Sequence, residues 1–310
     1  MEINTLGSVL KYYRIKYNLG QDKICSGICS MATLSKVEHG SRIIDSLHAE
    51  CLLGRIGKEV LQFEIISNEE DYYLWKLREE ILKFEKEKNY LKAQEVLQDY
   101  ENAMPQNDAI HTQFCLYHKA KVKLAAQKPD EEIIRLLYES LKYTKPEMDV
   151  EDEKDLLYNP TEIELMLLLI RYEYPGWMNR NKENELLKML NHVRKVYTGR
   201  QFEETAVQIM LELIYLELQL EDYVRAIQYV DEAVDIISQG RGIEYLAELH
   251  FIKARAMEAI YHGRGDWVQY EKQCKNECLM AYYVFDIMGK EEIKEVQKFC
   301  EDKLKWQITE

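Results

Sequence analysis

From about residue 68 onward, apolar side chains recur at steps of three and four with few interruptions, which is the period of an α-helix with one buried face. The interruptions fall at Asn89-Tyr90, Met104-Pro105, Lys128-Pro129, residues 145 to 159, Tyr174-Pro175-Gly176, Thr198-Gly199, Glu221-Asp222, Gln239 to Gly242 and Gly263 to Asp266. Between them lie segments of roughly twelve to twenty residues, the size of helices that stack in pairs. Only 5 prolines and 13 glycines punctuate 310 residues, too few turn formers for a strand-rich fold, so the chain reads as all-α. A chain of this length, 46% hydrophobic, can bury a substantial core and is expected to form two modules.

Two of the segments carry a finer pattern. In "NYLKAQEVLQDYENAMP" the small Ala93 is followed by Leu97, Tyr100 and Pro105; in "EDYVRAIQYVDEAVDII" Ala226 is followed by Val230 and Ala233. Small residues are needed where antiparallel helices touch closely, and larger ones fill the space toward the next pair. This spacing resembles the second helix of a tetratricopeptide repeat. "KPDEEIIRLLYESLKYTKP", "NRNKENELLKMLNHV" and "RGDWVQYEKQCKNECLMAYY" fit it more loosely, giving about five helix pairs, with "EEIKEVQKFCEDKLKWQI" as a closing helix that caps the array. Such pairs stack into a right-handed solenoid whose first helices line a concave groove. The register places Lys119, Lys123, Arg171, Gln208, Tyr215 and Arg255 toward that groove, where cations and an amide suit the carboxylate and backbone of an extended peptide. Taken singly, each also reads as a solvated surface residue.

The first sixty residues differ in grain. Leu6, Val9, Leu10, Tyr13 and Tyr17 mark one face of a helix that ends around Asn18 to Gly20. A helix of barely two turns follows from Gln21, and Ser30 can cap a third that Gly40 terminates. Within the third helix Leu34 and Val37 face inward, and Met31, Ala32, Thr33, Ser35 and Lys36 face outward. Helices this short are held only by packing on one another, and an outward face of small and polar side chains lets a backbone come close to a partner. A capped short helix of this kind suits the major groove of DNA. The eight Lys/Arg and six Asp/Glu of residues 1 to 60 give +2, leaving −16 on the remainder of a chain whose formal charge is −14. Overall acidity therefore does not exclude a local contact with phosphates.

The stretch "LGSVLKYYRIKYNLGQDKICSGICSMATLSKVEHG" resembles the helix-turn-helix of lambda-repressor/Xre-type regulators, most closely the variant of the Rgg/PlcR/PrgX group of peptide-responsive, quorum-sensing regulators. The resemblance implies that the helix opening at Gln21 sits over the DNA backbone and that the one opening at Ser30 reads bases. Its DNA-binding residues would be Gln21, Ser30, Met31, Thr33, Ser35 and Lys36, with Arg14 and Glu38 as a structural pair. Here "EHG" stands where the group has "ENG" or "ERG", and no Arg or Gln stands on the expected reading face. The order of modules implies a helix-turn-helix domain at 1–66 and a repeat domain at 67–310. It also implies a double-stranded DNA operator, a short linear peptide and a homodimer, since paired half-sites lie about 34 Å apart. Two alternatives stay open: a regulator whose repeats hold a protein instead of a peptide, and a helical scaffold whose first helices never meet DNA.

The rest of the sequence excludes more than it suggests. The most apolar run, "IELMLLLI" at 163–170, is too short to cross a bilayer, and no apolar leader follows a basic start, so a cytoplasmic protein without membrane contact is expected. Seven cysteines, an odd number, fit a reducing compartment. Cys25/Cys29 and Cys274/Cys278 share helix faces but lack partners at zinc spacing, so they read as buried thiols and no metal or cofactor is expected. Nucleotide-binding, metalloprotease and serine-hydrolase motifs are missing, and catalysis is not expected. The acidic run at 149–155 reads as a solvated connector and the Arg-Gly-Asp at 264–266 as a helix-to-helix turn.

Overall fold

The computed structural model describes residues 6–58, 69–126, 128–146, 157–172, 182–238, 243, 245–262 and 267–308. Among these residues there are fifteen α-helices and no strand. The chain forms two compact units, Met1–Arg180 and Asn181–Glu310. The acidic run at 149–155, the Tyr174-Pro175-Gly176 and 239–242 breaks, the 264–266 turn and residues 59–66 of the expected head lie outside the described residues. No described helix is long and apolar enough to cross a membrane.

The first unit opens with four short helices, α1 (Leu6–Lys16), α2 (Gln21–Cys25), α3 (Met31–Glu38) and α4 (Ser46–Gly54). Their core gathers Leu10, Ile24, Leu34, Val37 and Leu52, all nearly or fully buried. Five longer helices follow: α5 (Glu69–Lys86), α6 (Tyr90–Ala103), α7 (Ala109–Ala126), α8 (Glu131–Thr144) and α9 (Pro160–Arg171). Each packs against the next in sequence. The boundaries follow from local chemistry. Asn89 and Asp130 accept the third backbone N–H of α6 and α8, while Asn159 and Glu162 make a reciprocal capping box at the start of α9, with Pro160 at its first position. Ala93 is completely buried where α5 and α6 touch, and Leu97 and Tyr100 join Leu74, Leu77, Ile81 and Cys115 in one cluster.

The second unit contains α10 (Lys182–Val196), α11 (Gly199–Gln219), α12 (Tyr223–Ser238), α13 (Leu246–Tyr261), α14 (Trp267–Ile287) and α15 (Ile293–Leu304), again packed in succession. Ala226, Val230 and Ala233 are all fully buried, which is the spacing that lets α12 lie close to its neighbours. The terminal helix α15 buries Val296, Cys300 and Leu304 against Ala281, Tyr282 and Phe285 of α14. All seven cysteines are free thiols, and six are buried. Burial favours the neutral form and lifts Cys29 to about 11 and Cys115 to about 12.

Candidate nucleic-acid interface

Helix α3 is set by its two ends. Ser30 stands in extended backbone and its Oγ accepts the Thr33 N–H at 3.1 Å, satisfying one of the free donors of α3. At the other end Gly40 adopts φ +70°, and Gly40 and Ser41 donate to the carbonyls of Val37 and Lys36 at 2.9 Å, a left-handed termination that a Cβ would strain. Between these stops Leu34 and Val37 are buried, and Met31, Ala32 and Lys36 are exposed, Met31 to 56%. Thr33 and Ser35 are half-buried. The outward side of α3 is open to solvent.

Beneath it lies a charged joint. The Arg14 guanidinium grips both oxygens of Glu38, Nε to Oε1 at 2.6 Å and NH2 to Oε2 at 2.9 Å, and donates also to the Leu19 carbonyl at 3.3 Å. The Gln21 side-chain amide donates to Glu38 Oε2 at 2.8 Å. One carboxylate thus ties the end of α3 to α1 and to the first residue of α2. Burial alone would push the Glu38 pKa up, but the hydrogen bonds from Arg14 and Gln21 prevail and hold it below the ordinary glutamate value. The hydrogen bond to Glu38 in turn raises Arg14, against the cost of its own burial. Gln21 is therefore spent, at least in its amide, on the interior of the head.

Arg42, in the segment after α3, brings its NH1 to 3.3 Å from Thr33 Oγ1 and is exposed. The outer side of α3 thereby acquires a guanidinium that helical register could not place there, because Arg42 lies beyond the helix stop. A cation two residues past a terminating glycine was the only signal available in the sequence.

The head is fastened to the long helices of the same unit. Arg55, fully buried, donates to the carbonyls of Ile24 at 2.7 Å and Ser26 at 2.5 Å and pairs with Glu162 on α9 at 2.6 Å. Lys145, at the end of α8, stands 3.6 Å from the other oxygen of Glu162 and donates to the Leu157 carbonyl. Burial pulls Lys145 down to about 8, while Glu162, which burial would raise, is held low by Arg55 and Lys145. Gly27, at φ +72°, completes the joint: a Cβ there would stand 2.0 Å from the Thr144 carbonyl oxygen of α8. Ser46 and Arg78 make a second fastening, with the Ser46 hydroxyl donating to Asp71 at 2.7 Å and accepting from Arg78 at 2.8 Å.

The residues expected to line a groove all lie on odd-numbered helices: Lys119 and Lys123 on α7, Arg171 on α9, Gln208 and Tyr215 on α11, Arg255 on α13. Their contacts differ. In the first unit Lys119 reaches Glu101 of α6 and Lys123 reaches Glu132 of α8, each at 2.5 Å, so both turn toward second helices. Lys121 instead spans first helices, 3.2 Å from Glu85 of α5 and 3.7 Å from Glu164 of α9, and His118 adds a 2.6 Å bond to Glu85. In the second unit Gln208 donates to the Tyr245 hydroxyl at 3.0 Å and Tyr215 to Glu248, joining α11 to α13. Arg255 lies over the Phe251 ring at 5.8 Å. The α5-α7-α9 line of Glu85, His118, Lys121 and Glu164 is not legible in the sequence, since a two-residue offset from Lys119 and Lys123 is invisible without the packing angle.

A short helical head with an exposed, capped third helix, continuous with successively packed helix pairs, is the fold of the Rgg/PlcR/PrgX-type peptide-responsive regulators. PlcR from Bacillus thuringiensis, solved with the peptide PapR7 and DNA, matches with TM-score 0.56 at 14% identity, over 94% of this chain and 98% of that one. ComR from Streptococcus vestibularis, in its apo form, gives TM-score 0.48 at 14% identity over 96% and 97% of the two chains. No protein-family profile and no curated sequence matches the chain.

Proposed function

We propose that the protein is a cytoplasmic DNA-binding transcriptional regulator, with residues 1–66 as an Xre-like helix-turn-helix domain and 67–310 as a tetratricopeptide-like domain that binds a short linear peptide and forms a homodimer. The observation that carries this reading is the open outer side of α3, with Met31, Ala32, Thr33, Ser35 and Lys36 from the helix and the Arg42 guanidinium beside them, over a core fixed by Arg14, Gln21 and Glu38. Lys36 and Arg42 supply phosphate or base contacts, the amides behind Ser30 supply backbone contacts, and Arg14 and Glu38 keep the helix at the right height. The PlcR complex, which contains both a peptide and DNA, supports the two partners. Peptide binding shifts the population of repeat conformations and so alters the presentation of two paired heads, which requires the peptide to favour one state by a few kcal/mol.

The test is a gel shift of the full-length protein on duplexes from the promoter of its own chromosomal neighbourhood, with Lys36→Ala and Arg42→Ala beside the wild type. Retarded wild-type complexes that weaken in both variants support the reading; equal retardation of all three, or none, removes it. A second reading, in which the repeats hold a folded protein, draws on the internal pairing of Lys119 with Glu101 and Lys123 with Glu132, which leaves those ammonium groups less available to a peptide carboxylate. Co-purification with a folded partner and no peptide mass would favour it.

A further inference from the structure

Two Asp-x-x-His segments, Asp45 to His48 and Asp108 to His111, each open a helix of the first unit, α4 and α7, and the two helix starts meet. In both, the aspartate caps with one oxygen. Asp45 Oδ1 accepts the His48 N–H at 3.0 Å, and Asp108 Oδ1 accepts those of Ile110 and His111 at 3.0 and 3.2 Å. The other oxygen of each turns to the same imidazole: Asp45 Oδ2 is 2.7 Å from His48 Nδ1, and Asp108 Oδ2 is 3.5 Å from His48 Nε2. His111 comes in from α7 and is completely buried. Its Nδ1 is bound to the Tyr100 hydroxyl at 2.6 Å, while its Nε2 makes no hydrogen bond and faces Asp45 Oδ1 at 3.6 Å.

A buried imidazole with one nitrogen fixed by an oxygen partner and the other bare is how a histidine ligand is oriented, the Tyr100 contact selecting the ring face and tautomer. As a plain ion-pair cluster the arrangement gives His111 Nε2 only the 3.6 Å approach to Asp45 Oδ1, too long for a hydrogen bond, and an unmade hydrogen bond in a fully buried place is costly. A bound metal would draw the donor atoms closer together. Bonds of about 2.0 to 2.1 Å in tetrahedral geometry set donor atoms about 3.3 Å apart. One donor atom each from Asp45, His48 and His111 already lie within 4.8 Å of one another. Imidazole with carboxylate favours zinc and its late first-row neighbours over calcium or magnesium, which take all-oxygen shells.

We propose that Asp45, His48 and His111, with Asp108 at the edge, form a binding site for a divalent transition metal of the zinc class, which clamps α4 of the head to α7. A bound ion would cross-link segments more than sixty positions apart (about one helix pair and a half of sequence) and stiffen the junction, whatever the head itself binds.

The experiment uses the full-length protein, stripped with a chelator, kept reduced and titrated with zinc chloride and separately with cobalt(II) chloride. The expected result is one saturable equivalent, a zinc-dependent rise in Tm, and visible cobalt d–d bands without thiolate charge transfer. His111→Gln and His48→Gln should each weaken binding by about 100-fold or more and abolish the Tm rise. Because His111 is buried, its variant risks misfolding; His48 stands nearer the surface, and its variant decides alone in that event. No saturable binding, binding that persists in the folded His48→Gln protein, or a cobalt thiolate band marking the cysteines as ligands would each overturn the site. None of these readouts involves DNA.

Discussion

Three helices of the head converge on the Glu38 carboxylate, at the end of α3, through Arg14 of α1 and Gln21 of α2. Arg14→Ala removes the bidentate partner and leaves that carboxylate buried with only the Gln21 amide, which predicts a loss of about 3 kcal/mol in denaturant unfolding. The sign of the pH dependence follows from the folded pKa lying below the unfolded one. The contribution of Glu38 is complete above the ordinary glutamate range and is lost as pH falls through the folded value, so the acid limb of stability against pH should flatten in Glu38→Gln. The pairing of Arg14 with Glu38 across 24 positions could be anticipated only from the family likeness, whereas the caps at Ser30 and Gly40 were readable from local chemistry alone. Arg42 was not readable, since its reach to Thr33 depends on the path of an irregular segment. The thiols make a separate prediction at this scale: with Cys29 lifted to about 11 and Cys115 to about 12 by burial, native protein at pH 8 should resist iodoacetamide at both and react fully once unfolded.

At the scale of elements, what matters is how α1 to α4 are tied to the longer helices. Arg55 and Glu162 lie 107 positions apart, and neither shows in the sequence as anything but one charge among many, yet both are fully buried and bonded to each other. Removing one partner strands the other, so Arg55→Met or Glu162→Leu should each cost about 3 to 5 kcal/mol; in the same unfolding measurement the double variant should cost less than the sum of the two, without full recovery, because Lys145 then lacks its carboxylate. Gly27→Ala meets both a left-handed backbone and the Thr144 carbonyl 2.0 Å from its Cβ, and should destabilise by well over about 1 kcal/mol. The long helices themselves were the most legible part of the chain. Their breaks at Asn89, Met104, Thr198 and Glu221 fall where helices end or begin, because turn chemistry is local. Which side chains of α7 face α5 and α9 is not local, and so Lys121 and His118 emerged only from the packing.

For the whole molecule, an exposed third helix and longer, successively packed helices lie in a chain whose fold matches PlcR at TM-score 0.56. If two heads must act together, light scattering of the full-length protein should report a dimer, and operators recovered from random duplexes should be two-fold symmetric with half-sites about one helical turn apart. The most direct test of the central claim is the affinity of the full-length protein for such a recovered duplex, measured by fluorescence polarisation over a range of salt. Binding should be salt-dependent and weaken in Lys36→Ala and Arg42→Ala, with the slope of log K against log salt falling by about 1 for each phosphate contact removed. Identical affinity and slope in wild type and both variants, or no recoverable duplex at all, would contradict it.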